Sequence, residues 1–320
     1  MRMNESHWLK IALTLDGQGG ASPLDAQVSL NETVPYWVHL DYSQPESQHW
    51  LEQQDIAPMV ISALTTMETR PRVTEVAGGL LVYLRGVNLH PGARPEDMIA
   101  LRLWVGPKGL VSTQKRALLS LITVQEELER GEGPADIPGL VARLVDQLIW
   151  RMEDVIENLE SEVEDCALSI EESPTISLTP RLSQIRRRSI TLRRFFAPQR
   201  EALMKLQNES MFAGGDALLL REAGDRLQRL LEDLDAAREH ATLLQEEVFS
   251  VQNEAINDRM YLLAMITALF LPLGFLTGLF GINVGGLPGV DDPAGFWWFM
   301  AGIGVVSLGV LVWMLKRRWL

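Results

Sequence analysis

Apolar and polar positions fall into three regimes along the chain. From residue 1 to about 115, short runs rich in β-branched and aromatic residues are bounded by Gly, Pro, Asn and Asp: Leu9 to Leu15, Val34 to Tyr42, Arg72 to Val76, Leu80 to Asn88, Met98 to Val105 and Leu110 to Thr113. Such runs predict strands. Pro45 to Gln54 and Pro58 to Thr66 read as short helices between them, so this part is a compact α/β domain with a mixed sheet. A helix starting near Ser112 leads out of it and is broken by the Gly and Pro of residues 132–138, which closes the first domain at 1–138. From Gly139 the pattern is almost wholly helical, in three long pieces at about 139–172, 180–211 and 216–280. The first two predict a hairpin around Ser173 to Pro180 and the third a stalk, with the long-helix region at 139–258 and an apolar region at 259–320.

Within that last region lie two uncharged runs, Met260 to Phe280 with 21 residues and Phe296 to Leu315 with 20. At about 1.5 Å per helical residue each reaches roughly 30 Å, the thickness of a bilayer hydrocarbon core, so both are expected to span a membrane. Arg259 precedes the first run and Lys316, Arg317 and Arg318 follow the second, while the segment between them has no Lys or Arg and carries Asp291 and Asp292. Basic flanks stay on the cytoplasmic side. Both termini are therefore expected in the cytoplasm and the connecting loop outside, with Trp297, Trp298, Trp313 and Trp319 at the two interfaces.

Charge separates the same regions. Residues 1–258 hold 25 of the 29 Lys and Arg and 40 of the 42 Asp and Glu, a formal charge of 25 − 40 = −15, against 4 − 2 = +2 for the remaining 62 residues. That asymmetry speaks against nucleic acid as a partner. It suits either plain solubility or a domain whose field gathers cations near a membrane pathway. In the hairpin, an acidic first helix (Glu153 to Glu172) faces a basic second one (Arg181 to Arg194); solvated ion pairs explain this, and so does an acidic shell that collects divalent ions. The single cysteine, Cys166, excludes an intramolecular disulfide, and no apolar segment near Met1 suggests a cleavable signal. No Gly-rich phosphate loop, nucleophile elbow or metal-hydrolase His pair points to an enzyme.

Read in sevens, the third long helix places Glu246, Asn253, Met260, Thr267 and Gly274 on one stripe, with Ser250, Asn257, Ala264, Leu271 and Gly278 beside them. The stripe is polar or small at both ends and apolar at Met260 and Leu271. Either it packs a neighbouring helix, through the small pair Gly274 and Gly278, or it lines water. Asn253 and Asn257 just below the membrane favour water. Two spans cannot enclose a channel, so several copies would have to do so together.

Gly281-Ile282-Asn283 at the outer end of a Pro- and Gly-containing span, followed by a short loop and a second span with a basic tail, resembles the CorA superfamily of divalent metal ion transporters, whose signature is Gly-Met-Asn. Gly-Ile-Asn-Val-Gly-Gly-Leu-Pro-Gly is most similar to its ZntB zinc transporter branch. The resemblance implies a homopentamer in a bacterial inner membrane, with a funnel-shaped cytoplasmic part and the stalk and first span lining the pore. It implies divalent ions as cargo, zinc first, with no tightly bound cofactor and the lipid bilayer as the other partner. A ring of Asn283 side chains would then offer amide oxygens to a hydrated ion, although Asn also suits a helix C-cap there. Ile282 in place of Met, and glycines where the magnesium branch usually has an acid behind the motif, favour zinc over magnesium. Asp291 and Asp292 either attract cations or simply solvate the loop. A magnesium, cobalt or nickel channel and a membrane-anchored sensor remain the alternatives.

Overall fold

The computed structural model describes residues 7–24, 34–67, 70–172, 177–281 and 292–316. The chain divides into two compact units, Met1–Gln245 and Glu246–Leu320. The first is built on a sheet of seven strands: β1 (Leu9–Leu15), β2 (Ala21–Pro23), β3 (Tyr36–Asp41), β4 (Arg72–Val76), β5 (Gly79–Gly86), β6 (Ile99–Val105) and β7 (Gly109–Gln114). Their spatial order is β2-β1-β3-β7-β6-β5-β4. Every neighbouring pair is antiparallel except β3 and β7, which run parallel from Tyr36 opposite Gly109 to Asp41 opposite Gln114. The sheet is thus mixed, as expected, and the long connection that a parallel pair requires is the whole stretch from residue 42 to 108.

That pairing corrects one expectation. The helix placed from about Ser112 begins only at Leu119, as α3 (Leu119–Arg130), because residues 109–114 form the strand that joins β3 to β6. All six of its residues are buried, Ser, Thr and Gln among them. Thr113 donates its hydroxyl to the Leu64 carbonyl at 2.6 Å, and Ser112 Oγ accepts from Trp37 Nε1 at 2.8 Å. The strand itself was expected at Leu110 to Thr113; what the pattern did not show is the set of buried partners that satisfies its polar side chains. The short edge strand β2 was not anticipated either, since three residues cannot show an alternation.

One face of the sheet packs Tyr36, Val38, Leu40, Tyr83, Trp104 and Val111 against Trp50 and Leu51 of α1 (Pro45–Glu52) and Val60, Ile61 and Leu64 of α2 (Pro58–Thr65). α4 (Ile137–Glu172) and α5 (Leu178–Leu206) also pack on this sheet, both against β5. β4 ends opposite Tyr83, and beyond it Gln199 of α5 stands in for the missing strand. Its Oε1 accepts from the Arg85 N–H at 2.7 Å and its Nε2 donates to the Arg85 carbonyl at 3.1 Å. A Cβ on Gly86 would lie 2.5 Å from Leu148 Cδ2 and 2.7 Å from Leu118 Cδ2, so glycine is what lets α4 seat this close.

In the first unit α6 (Gly214–Gly281) buries Leu220, Leu227, Leu234 and Ala241, one apolar residue every seven. Charge pairs tie the long helices together only in part as expected. Arg188 bonds Glu162 at 2.7 Å and Arg181 lies 4.0 Å from Asp165 across the hairpin, but Arg193 turns to Asp235 at 2.8 Å and Arg186 to Gln245 at 2.7 Å, both on α6. Cys166 is buried in α4, and that burial raises its thiol above the usual range. In the second unit, α6 and α7 (Gly295–Lys316) are the two helices long and apolar enough to cross a membrane, and the rings of Phe280 and Phe299 meet at 5.0 Å.

Candidate functional site

The ten stripe residues, Glu246 to Gly278, lie on the uninterrupted α6 of the second unit, and all ten are exposed within the chain. Met260 is 63% and Leu271 71% exposed, far too much for core residues. The half-covered positions of the membrane part, Met265, Ala268, Leu269, Pro272, Leu273 and Leu276, centre about 150° round the helix from the stripe at 3.6 residues per turn. A Cβ built on Gly274 or Gly278 meets nothing within 4 Å. The small pair therefore packs no helix of its own chain among the described residues.

Midway along the stripe, an open groove of about 600 Å³ is lined by Met260, Leu263, Ala264, Thr267, Ala268, Leu271 and Pro272. Leu263, Ala268 and Pro272 were not singled out from the sequence. Pro272 was the available signal, because a proline inside a helix has no N–H and leaves the carbonyl four residues earlier, that of Ala268, without its helical partner. Thr267 donates its hydroxyl to the Leu263 carbonyl at 2.8 Å, which leaves its oxygen free to accept from water. The groove is thus mainly apolar with two polar points.

Gly281 is the last described residue of α6 and is exposed. Ile282, Asn283 and Asp291 lie outside the described residues, as do Arg317, Arg318 and Trp319. Asp292 is described, and its Oδ1 accepts the Ala294 N–H at 2.9 Å at the start of α7, a helix-entry contact rather than a free charge. Among the described residues no group of three or more His, Cys, Asp or Glu converges to hold a metal ion. The acidic half of α4 therefore forms no described coordination site.

With this geometry, the model of the CorA-like Mg2+ transporter protein family matches residues 32–317. The chain belongs to that family. It is 35% identical to the zinc transport protein ZntB of Pectobacterium carotovorum over 314 residues, covering 97% of this chain and 95% of that one. It is 38% identical to the divalent cation transporter CmaX of Pseudomonas aeruginosa over 316 residues, covering 96% and 95%. The solved structure of full-length CmaX superposes with a TM-score of 0.84 at 35% identity over 99% of both chains. As in the sequence reading, this CorA-like chain combines a mixed-sheet domain, long helices and two apolar C-terminal helices.

Proposed function

We propose that this protein carries divalent metal cations, zinc first, across the bacterial inner membrane, as a homopentamer whose termini are both cytoplasmic. The observation that carries this is likeness from end to end with proteins named for zinc and for divalent cation transport. The exposed stripe of α6 supports it, since one chain offers a lining and no enclosure. Residues 1–138 and 139–258 act as the cytoplasmic domain and stalk, and 259–320 as the membrane domain. Glu246, Ser250, Asn253, Asn257, Met260, Ala264, Thr267, Leu271, Gly274 and Gly278 line the path. Gly281, Ile282 and Asn283 form its outer mouth, where the Asn283 amide oxygens hold the ion through its water shell. The ion is cargo; no catalytic step and no resident cofactor is assigned.

Flux into proteoliposomes, with zinc and magnesium compared, tests this. Zinc uptake should exceed magnesium uptake, and Asn283→Ala should reduce it to the level of protein-free vesicles while the oligomer still assembles. Magnesium carried faster would move the assignment to a magnesium-type channel. No flux of either ion would leave a membrane-anchored sensor.

A further inference from the structure

A cavity of about 500 Å³ opens in the first unit between the end of β5, the start of β6, the segment after β7 and α5. Its wall is cationic: Arg85, Lys115, Arg116 and Arg194 line it against only two carboxylates, Glu96 and Asp97. This runs against the −15 (25 − 40) of residues 1–258. Two of the cations are held in place. The guanidinium groups of Arg85 and Arg194 both lie over the Phe195 ring, 4.7 and 4.8 Å from its centre, and Arg85 Nη1 donates to the Met98 carbonyl at 2.9 Å. Glu96 is engaged by Arg188 at 3.7 Å, while Lys115, Arg116 and Arg194 form no ion pair among the described residues.

A fifth cation lies directly behind the wall. Arg102 is fully buried, its guanidinium 4.2 Å from the centre of the Tyr42 ring, and its Nη2 donates to the carbonyls of Thr66 and Met67. Tyr42 and Met67 are wall residues, and Arg102 Nε and Nη1 have no partner among the described residues. A buried guanidinium with idle N–H groups is costly, and like charges gathered round one recess repel. A bound anion offsets that repulsion.

We propose that this cavity binds a phosphate-bearing small molecule of the nucleotide class. Arginine's fork and lysine's ammonium suit phosphate oxygens, and arginines already stacked on an aromatic ring lose little freedom on binding. The volume is in the range of small-molecule sites and leaves room for an organic part beside the phosphates, with Tyr42 as a flat surface for it.

The site is separate from the α6 stripe, so binding is measured apart from flux. Calorimetry on the full chain in detergent, with a chelator present to remove divalent ions, would use ATP, inorganic pyrophosphate and adenosine. ATP and pyrophosphate should bind saturably, more weakly as salt rises, and adenosine should not. Tighter binding of ATP than of pyrophosphate supports a nucleotide. A variant with Lys115→Gln, Arg116→Gln and Arg194→Gln, all at exposed side chains, should weaken binding by about tenfold or more, since each charged hydrogen bond carries about 1.5 kcal/mol or more. Lys10→Gln on β1 should change nothing. Absence of saturable binding by both anions, equal binding by adenosine, or parental affinity in the triple variant would overturn the proposal.

Discussion

His39 shows how far a single residue can depart from its type. It is 1% exposed on β3, its Nδ1 lies 2.8 Å from Ser112 Oγ, and burial pushes its pKa down to about 3. An unfolded chain takes up a proton near the ordinary value of about 6.5, which the native imidazole refuses. Stability contributed by the neutral ring is therefore whole above pH 6.5 and falls as pH drops from there toward 3, by about 1.4 kcal/mol per pH unit. The unfolding midpoint should fall between pH 7 and 5, and His39→Gln should flatten that fall; an unchanged slope would show that the ring reaches water. Nothing in the sequence set His39 apart from the other histidines, because its partner Ser112 is 73 residues away. Residues whose role depends on neighbours close in sequence, such as Pro45 and Pro58 at the starts of α1 and α2, were legible; those whose partners arrive from another strand were not.

At the scale of elements the long helices were legible to within a few residues, apart from the C-terminal end of α5, because their apolar positions recur over many turns. β7 was legible at Leu110 to Thr113, but the partners of its buried polar residues were not, since they come from other elements. The ties between helices follow the same rule. Asp146 of α4 accepts Arg143 at 2.8 Å and Arg226 of α6 at 2.9 Å, while Arg143 also bonds Glu127 of α3 at 2.7 Å. With its carboxylate only 10% exposed, Asp146→Ala removes one charged partner from each of Arg143 and Arg226, which keep Glu127 and Glu153, and should cost about 2 kcal/mol, read as a lower denaturant midpoint. Loss within the range of an exposed pair would mean that water replaces the carboxylate. On the apolar part of α6, rings of Met260 and Leu271 would narrow a water path and gate it by dewetting. Met260→Ser should then leak ions at low driving force. Unchanged flux would make Met260 a packing residue only.

For the molecule as a whole, the order of parts was readable because two uncharged runs of this length have little else to become, and because the Gly-Ile-Asn stretch ties them to a family that the match over residues 32–317 establishes. The same runs bear on how transport is driven. Met260 to Phe280 and Phe296 to Leu315 contain no Asp, Glu, His, Lys or Arg, and a side-chain proton relay through a membrane normally requires such a group. Any coupling to a pH gradient is then expected to use pore water or carboxylates flanking the two runs, Glu246, Asp291 and Asp292. Asp292 already accepts the Ala294 N–H, and its amide keeps that contact, so Asp292→Asn removes charge with little loss of structure. Zinc uptake under an inward proton gradient should keep its stimulation when Glu246→Gln, Asp291→Asn and Asp292→Asn are combined, because water alone suffices to carry the proton along this path. Loss of the stimulation, with zinc flux at symmetrical pH preserved, would place the coupling on those three carboxylates instead.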